Sequence, residues 1–404
     1  MILTRPLEDT LRYKADRMLR QAVRGGSLVD MASPPTITLS AGNVATTLSG
    51  TTQQILTPST TFTDGVLRSA VGVSSVGWSY FTNAAQDLYF PAAVEGASGA
   101  RRGSMIAYVF ATDAPAIELL VLASASNSNE YRLWINDKPV TAAVQTITAD
   151  STYRRLKIDN GSTPIGKIMF ETGFYVSFCG VAVGANHSVW PVRTDGPRLM
   201  VVGDSVTVGT GATKLGGGFA HQVGQRLGIA DTWVNGESGI GYRRTGQQSG
   251  KTPLQKLGAD VAAYAPDWVV VALGINDADQ VAADVQADAT AYLAALLEAL
   301  PFAGVTVMGP WTGPALVTPD PIFAAIAAAV AAQGEAIDSG RIRYIDTKAG
   351  NWQWGTGRTG ATSGTGNSNI YISSDGIHPT QAGHDYLAMR TAQAVTRHLL
   401  DVTA

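Results

Sequence analysis

The sequence predicts an α/β fold: a five-stranded parallel sheet flanked by helices, preceded by a β-sandwich domain and a short N-terminal helix. Three observations carry this. Apolar periodicity changes twice along the chain, from helical to strand-like near residue 31, then to strands alternating with helices after residue 193. The second half holds five compact apolar runs of strand length, as strands buried on both faces require. The 404 residues also exceed what one ordinary core holds. The expected partition is therefore 1–30 as an N-terminal helix, 31–192 as the sandwich and 193–404 as the α/β domain.

From Leu7 to Arg24, apolar residues Leu7, Leu11, Ala15, Met18, Leu19 and Ala22 recur at helical spacing. Arg12, Lys14, Arg17, Arg20 and Arg24 occupy the other face, and Gly25-Gly26 ends the run. Such a helix packs on its own domain, pairs with a second copy in an oligomer, or attaches the chain to something larger; packing is the simplest. Between Thr36 and Val183 come short β-rich runs broken by Gly, Asn, Asp and Ser: Met105–Ala111, Ile117–Leu122, Tyr131–Ile135, Tyr153–Ile158 and Phe174–Phe178. Asn136-Asp137 has the composition of a turn. Ser188–Arg198, with Pro191 and Pro197, reads as a linker.

The five later strands are Arg198–Val202, Thr232–Val234, Trp268–Leu273, Val305–Gly309 and Ile342–Ile345. Helical stretches fall at Gly218–Leu227, Pro253–Tyr264, Ala282–Leu300, Pro321–Ile337 and Gln381–Leu400. In sheets of this kind, reactive groups collect beyond the carboxyl ends of the strands.

Composition narrows the classes of function. A net charge of −3 provides no field that would recruit nucleic acid or an anionic membrane. No run approaches the ~20 apolar residues of a membrane span. A single cysteine, Cys179, excludes an intramolecular disulfide, and its apolar surroundings predict a buried, inert thiol. Met1–Tyr13 lacks the uninterrupted apolar core of a secretory signal.

Three strand ends carry chemistry. The first runs into Gly203-Asp204-Ser205, where a hydroxyl projects from the sheet edge. The third runs into Gly274-Ile275-Asn276-Asp277, which brings an amide to the same edge. After the fifth, Asp375-Gly376-Ile377-His378 sets an acid and an imidazole three residues apart. One tight turn then holds Asp375 on one ring nitrogen and leaves the other for Ser205. Each piece alone is ordinary: Ser after Asp caps helices, Asn-Asp likewise, and a His before Pro is usually a surface turn residue. Their convergence on one rim favours a nucleophile, base and acid.

In these blocks the chain resembles the SGNH, or GDSL-type, hydrolases, over Arg198–Leu400. The resemblance implies a flavodoxin-like sheet and a serine esterase, with Ser205 as nucleophile and Asp375 and His378 as acid and base. It implies an oxyanion hole made of the Ser205 N–H, a glycine N–H and the Asn276 side chain. Val206 replaces the leucine usual after Gly-Asp-Ser. For the glycine, Asn235-Gly236-Glu237-Ser238-Gly239-Ile240-Gly241 offers Gly239, with Gly241 as rival; Gly239 is preferred because Ser-Gly is the commoner family text.

Competing motifs fail on spacing. Gly246–Thr252 has three residues between its glycines where a phosphate loop needs four. Lys214 stands where Gly209-Thr210-Gly211 would need a third glycine for dinucleotide binding. His221, His384 and His398 have no ligand-spaced partners, so neither metal nor cofactor is expected. Asn351-Trp352-Gln353-Trp354 opens a polar, Gly-rich, aromatic loop ahead of the acid, and Trp352 and Trp354 are candidate substrate contacts. Indoles beside amides suit sugar faces, although two tryptophans in a loop equally suit packing. The architecture also resembles two-domain SGNH esterases that deacetylate polysaccharides and carry a β-sandwich before the hydrolase. That implies an acylated carbohydrate as partner and an extracellular or surface location. A lipase or thioesterase, and a glycan-binding module, are the alternatives.

Overall fold

The computed structural model describes residues 7–24, 29–41, 48, 105–123, 129–148, 153–173, 176–184, 186–190, 192, 196–247, 249–357 and 364–403, with short strands between 54 and 92. The chain divides into two units. One comprises Ser27–Ser98 and Ser104–Arg193, the other Met1–Gly26, Gly99–Gly103 and Thr194–Ala404.

Alternating apolar residues build the former unit as two antiparallel sheets around one core. Its longer strands are β1 (Thr36–Ala41), β2 (Met105–Thr112), β3 (Ala116–Ala123), β4 (Asn129–Ile135), β5 (Tyr153–Asp159), β6 (Gly166–Gly173) and β7 (Val176–Val183). In one sheet β5 lies between β1 and β3, with β7 beyond β3; in the other β6 lies between β4 and β2. Ile117, Leu119 and Val121 of β3 meet Tyr108, Leu133 and Phe170 of the second sheet in a buried cluster.

Asn136-Asp137 is a two-residue hairpin turn with both φ angles positive, at 49° and 64°, which pairs Ile135 with Lys138. The strand expected at Phe174–Phe178 begins at Val176 and continues to Val183, residues 174–175 lying outside the described residues. Its pairing with β3 slips between Phe178 and Gly180, a bulge that keeps both Phe178 and Val181 facing the core. Cys179 falls at this slip, and its side chain lies outside the described residues. Val189–Trp190, expected as linker, instead pairs with β2. Two residues beside Pro191 are too short a run to show a period.

In the other unit, α1 (Leu7–Arg24) turns Leu11, Ala15 and Met18 into the core shared with Leu387 and Val395, and Lys14 bridges to Asp267 at 2.9 Å. The described part of the helix's apolar stripe, Leu11, Ala15, Met18 and Leu19, is thus covered by its own chain. The strands are β8 (Arg198–Gly203), β9 (Asp231–Gly236), β10 (Trp268–Ala272), β11 (Gly304–Met308) and β12 (Ile342–Ile345). All pair in parallel, in the order β12-β11-β10-β8-β9. The principal helices are α2 (Ser205–Val208), α3 (Phe219–Arg226), α4 (Pro253–Asp260), α5 (Ala282–Ala299), α6 (Asp320–Ala331) and α7 (Gln381–Thr403). Chain order reverses between β8 and β10, and it is at such a switch point that doubly wound sheets open a crevice at their carboxyl edge. Among the described residues no helix is long and apolar enough to cross a membrane.

Candidate active site

Ser205 begins α2 immediately beyond β8. Asp204 caps that helix, its Oδ1 accepting the Val206 N–H at 2.9 Å. The cap keeps the one-turn helix in place and leaves the Ser205 N–H, the first of the helix, without an intrahelical acceptor. Asp204 is fully buried, and its second carboxylate oxygen has no hydrogen-bond partner among the described residues. Burial, the nearby Asp277 adding to it, pushes its pKa up to about 7.

The segment Ser373–His378 is a tight turn ahead of α7, closed by the Ser373 N–H on the His378 carbonyl at 2.8 Å. The two oxygens of Asp375 divide the work. Oδ1 accepts from the Ile377 N–H (2.9 Å), the His378 N–H (3.0 Å) and the Ser373 hydroxyl (2.7 Å). Oδ2 lies 2.6 Å from His378 Nδ1. Partial burial alone would raise this carboxyl, but the Ile377 N–H, the Ser373 hydroxyl and His378 together hold it down at about 2. Asp375 is therefore an anion wherever the imidazole can be neutral. His378 Nε2 stands 2.8 Å from Ser205 Oγ. The structure thus joins Asp375, His378 and Ser205 in one hydrogen-bonded chain. An ionised acid on Nδ1 selects the tautomer whose Nε2 accepts, which is what a base for the serine proton needs.

Asn276 lies in a 3-10 turn, Ile275–Asp277, beyond β10, and Gly274 enters that turn at φ 116°. Its Nδ2 donates to the Ile240 carbonyl at 2.9 Å, leaving the second amide hydrogen for another acceptor. The loop beyond β9 distinguishes the two candidate glycines. The Gly241 N–H is committed to the Arg244 carbonyl at 3.0 Å, whereas the Gly239 N–H has no acceptor among the described residues. Gly239 is at φ 76°, a conformation that disfavours any side chain.

The two tryptophans separate. Trp352 is only 4% exposed, stacks on Trp311 at 5.8 Å between centroids and is covered by the Arg390 guanidinium at 4.7 Å. The ring is buried against its own chain, which corrects the expectation that it meets substrate. Trp354 is 46% exposed. The histidines read as lacking ligand-spaced partners are interior. His384 accepts the Phe219 N–H on Nδ1 (3.2 Å) and reaches the Thr210 carbonyl through Nε2 (2.9 Å), so it ties α7 to the segment following Ser205. His398 contacts Thr306 and the Gly340 carbonyl. Two site features escaped the sequence: the Ser373 hydroxyl on Asp375, visible only as a Ser two residues before the acid, and the carboxylates of Glu237 and Asp277, for which spacing offers no signal.

Comparison with known proteins adds the family. A GDSL-like lipase/acylhydrolase family model matches residues 201–386. Among solved structures, the salicylyl-acyltransferase SsfX3 from a tetracycline biosynthetic pathway superposes with a TM-score of 0.54 at 15% identity, covering 85% of this chain and 97% of its own. A family two carbohydrate esterase from Cellvibrio japonicus gives 0.52 at 14% identity, covering 88% and 100%. Another carbohydrate esterase gives 0.50 at 15% identity, covering 81% and 97%. No curated protein matches by sequence. These likenesses show the fold, five parallel strands flanked by helices after a β-rich region. Residues 201–386, within which Ser205, Asn276 and the Asp375–His378 turn all fall, form a domain of the GDSL-like lipase/acylhydrolase family.

Proposed function

We propose that this protein is a serine esterase that removes short acyl groups, acetyl above all, from an acylated carbohydrate. The observation that carries the esterase reading is the hydrogen-bonded chain from Asp375 through His378 to Ser205, at 2.6 and 2.8 Å. Ser205 Oγ attacks the ester carbonyl while its proton passes to His378 Nε2. The imidazolium so formed is stabilised by the Asp375 anion. Negative charge develops on the carbonyl oxygen and is met by the N–H groups of Ser205 and Gly239 and by Asn276 Nδ2, each donor worth about 3 kcal/mol. Collapse breaks the ester bond, the leaving alkoxide takes the proton from His378, and the acyl group stays on Ser205. Water then gives its proton to His378 and its oxygen to the acyl carbon, releasing a carboxylic acid and restoring the serine.

The carbohydrate part rests on three supports. The Cellvibrio japonicus carbohydrate esterase aligns over its whole length and covers 88% of this chain, more than the hydrolase part alone. The loop ahead of Asp375 is Gly-rich and polar, and it presents Trp354 as an exposed apolar face of the kind that stacks on sugar rings. A site for long acyl chains would call instead for an extended apolar lid, and the loop from Asn351 to Asn367 is not apolar.

The test is a release assay across acetylated polysaccharides, with short and long acyl esters alongside. Acetate released from a polysaccharide, with long-chain esters poor, is the expected result. Preference for long acyl chains would mark a lipase or thioesterase. Transfer of the acyl group to an added alcohol in place of water would mark an acyltransferase.

A further inference from the structure

The loop from Glu237 to Thr252, which carries Gly239, is gripped on both sides by buried carboxylates. On the near side Glu237 accepts from the Ser249 N–H (2.7 Å), the Ser249 hydroxyl (2.9 Å) and Lys256 Nζ (2.5 Å). On the far side Asp277, fully buried, accepts the Tyr242 N–H on Oδ2 at 2.7 Å. Its Oδ1 accepts the Arg243 and Arg244 N–H groups, each at 3.2 Å. Glu237 has a lysine as partner, whereas Asp277 makes no ion pair among the described residues. Three successive backbone N–H groups converge on it instead, a concave nest of the kind that binds anions.

We infer that Asp277 is a positioning residue for both oxyanion donors, holding the Gly239 loop against the turn that carries Asn276; this rests on the oxyanion reading above. The geometry is that of a two-point clamp. Asn276 and Asp277 are adjacent in one turn. Asn276 grips the Ile240 carbonyl and Asp277 grips the N–H groups of residues 242 to 244. Gly239, immediately before this stretch, has no acceptor of its own among the described residues to fix its N–H. The clamp also explains a residue choice. A Cβ on Gly241 would lie 2.3 Å from Asp277 Oδ1, so only glycine lets backbone and carboxylate approach this closely. Burial raises the Asp277 carboxyl above its ordinary range and the three N–H groups work against that rise, so the carboxyl is served by the loop it holds and the loop has its position set by the carboxyl. A donor displaced by about 1 Å from the developing oxyanion costs on the order of 10²-fold in rate, so a hold of this kind bears on turnover more than on binding.

The experiment compares wild type, Asp277→Asn, Gly241→Ala and Asn276→Ala on a short activated ester, with active sites titrated by a serine-directed phosphonate. Asp277→Asn keeps the volume but turns an amide NH₂ toward N–H groups; Gly241→Ala pushes a methyl against the intact carboxylate. Both are expected to lower kcat per titrated site by roughly 10–10²-fold, with KM changed no more than about twofold. In an Asn276→Ala background, Asp277→Asn should cost much less than it does alone, because both act on one constellation. A purely structural role would lower the melting temperature and the number of titratable sites while leaving kcat per site intact, and that result overturns the inference. So does full additivity with Asn276→Ala, or a loss confined to KM. Should Asp277→Asn fail to fold, Gly241→Ala decides by the same criteria. If Asn276→Ala alone leaves kcat unchanged, the oxyanion reading itself has failed, an outcome separate from an unchanged Asp277→Asn beside an impaired Asn276→Ala.

Discussion

Nε2 of His378 stands 2.8 Å from Oγ of Ser205 across 173 residues of chain. Ser205 arrives at the end of β8, the first strand of the parallel sheet, and His378 on the turn before its last helix. The contact exists because Asp375 fixes that turn and the ring together. Asp375→Asn should therefore do more than remove a charge. An amide nitrogen beside Nδ1 favours the tautomer with its proton on Nε2, which cannot accept from Ser205. Turnover of a short activated ester is expected to fall by about 10⁴ with the fold retained. Retention of more than a tenth of wild-type kcat would show that the acid is not needed.

Asn276→Ala removes the amide proposed as the side-chain oxyanion donor. The expected loss is roughly 10²–10³ in kcat with little change in KM, since this donor meets charge present only in the transition state. Steady-state kinetics on one soluble ester suffices. A loss seen only in KM would mean that Asn276 binds substrate.

Much of this arrangement is legible in the sequence. Parallel strands buried on both faces read as continuous apolar runs, so Trp268–Leu273 and Val305–Gly309 were located to within a residue or so of β10 and β11. Asp375 and His378 are three residues apart in one turn, and local spacing is what sequence displays best. What was not legible depends on partners distant in the chain. Gly239 and Gly241 look alike until the Arg244 carbonyl engages one of them. Trp352 and Trp354 look alike until Trp311 and Arg390 pack on the first. Asp277 reads as a helix-capping acid because the N–H groups it accepts lie more than 30 residues upstream.

The two tryptophans should separate in experiment as they do in structure. Trp352→Ala deletes a buried indole and should cost about 3–5 kcal/mol of stability, read by thermal or denaturant unfolding. Trp354→Ala should leave the melting temperature almost unchanged and weaken action on acetylated polysaccharide more than on small esters. Equal effects on both substrate types would remove Trp354 from the substrate site.

Stability should depend on pH through three buried groups of two opposite signs. Burial holds His384 and His398 down at about 4, against 6.5 for an ordinary histidine. Between those values the unfolded chain binds protons that the native state refuses. Stability therefore falls as pH falls through that window, by up to roughly 3 kcal/mol per histidine. Asp204, raised by burial to about 7 from 3.8, acts the other way: the native state keeps a proton that the unfolded chain releases, and its contribution is lost as pH rises across that range. His398→Gln should be less stable near neutrality and lose less on acidification from pH 6.5 to 4 than wild type. Melting curves with the same acid slope in both proteins would contradict the neutral, buried assignment.

The most direct test of the central claim is to trap the intermediate. The protein is mixed with a short activated acetyl ester, quenched in acid within the first turnover and mapped by peptide mass spectrometry. The expected result is one acetyl group on the peptide bearing Ser205. Ser205→Ala should carry no acetyl group and should lose turnover by a factor of up to ~10⁶ while melting like wild type. Acetylation at another residue, or a Ser205→Ala protein that turns over at the wild-type rate, would contradict the account.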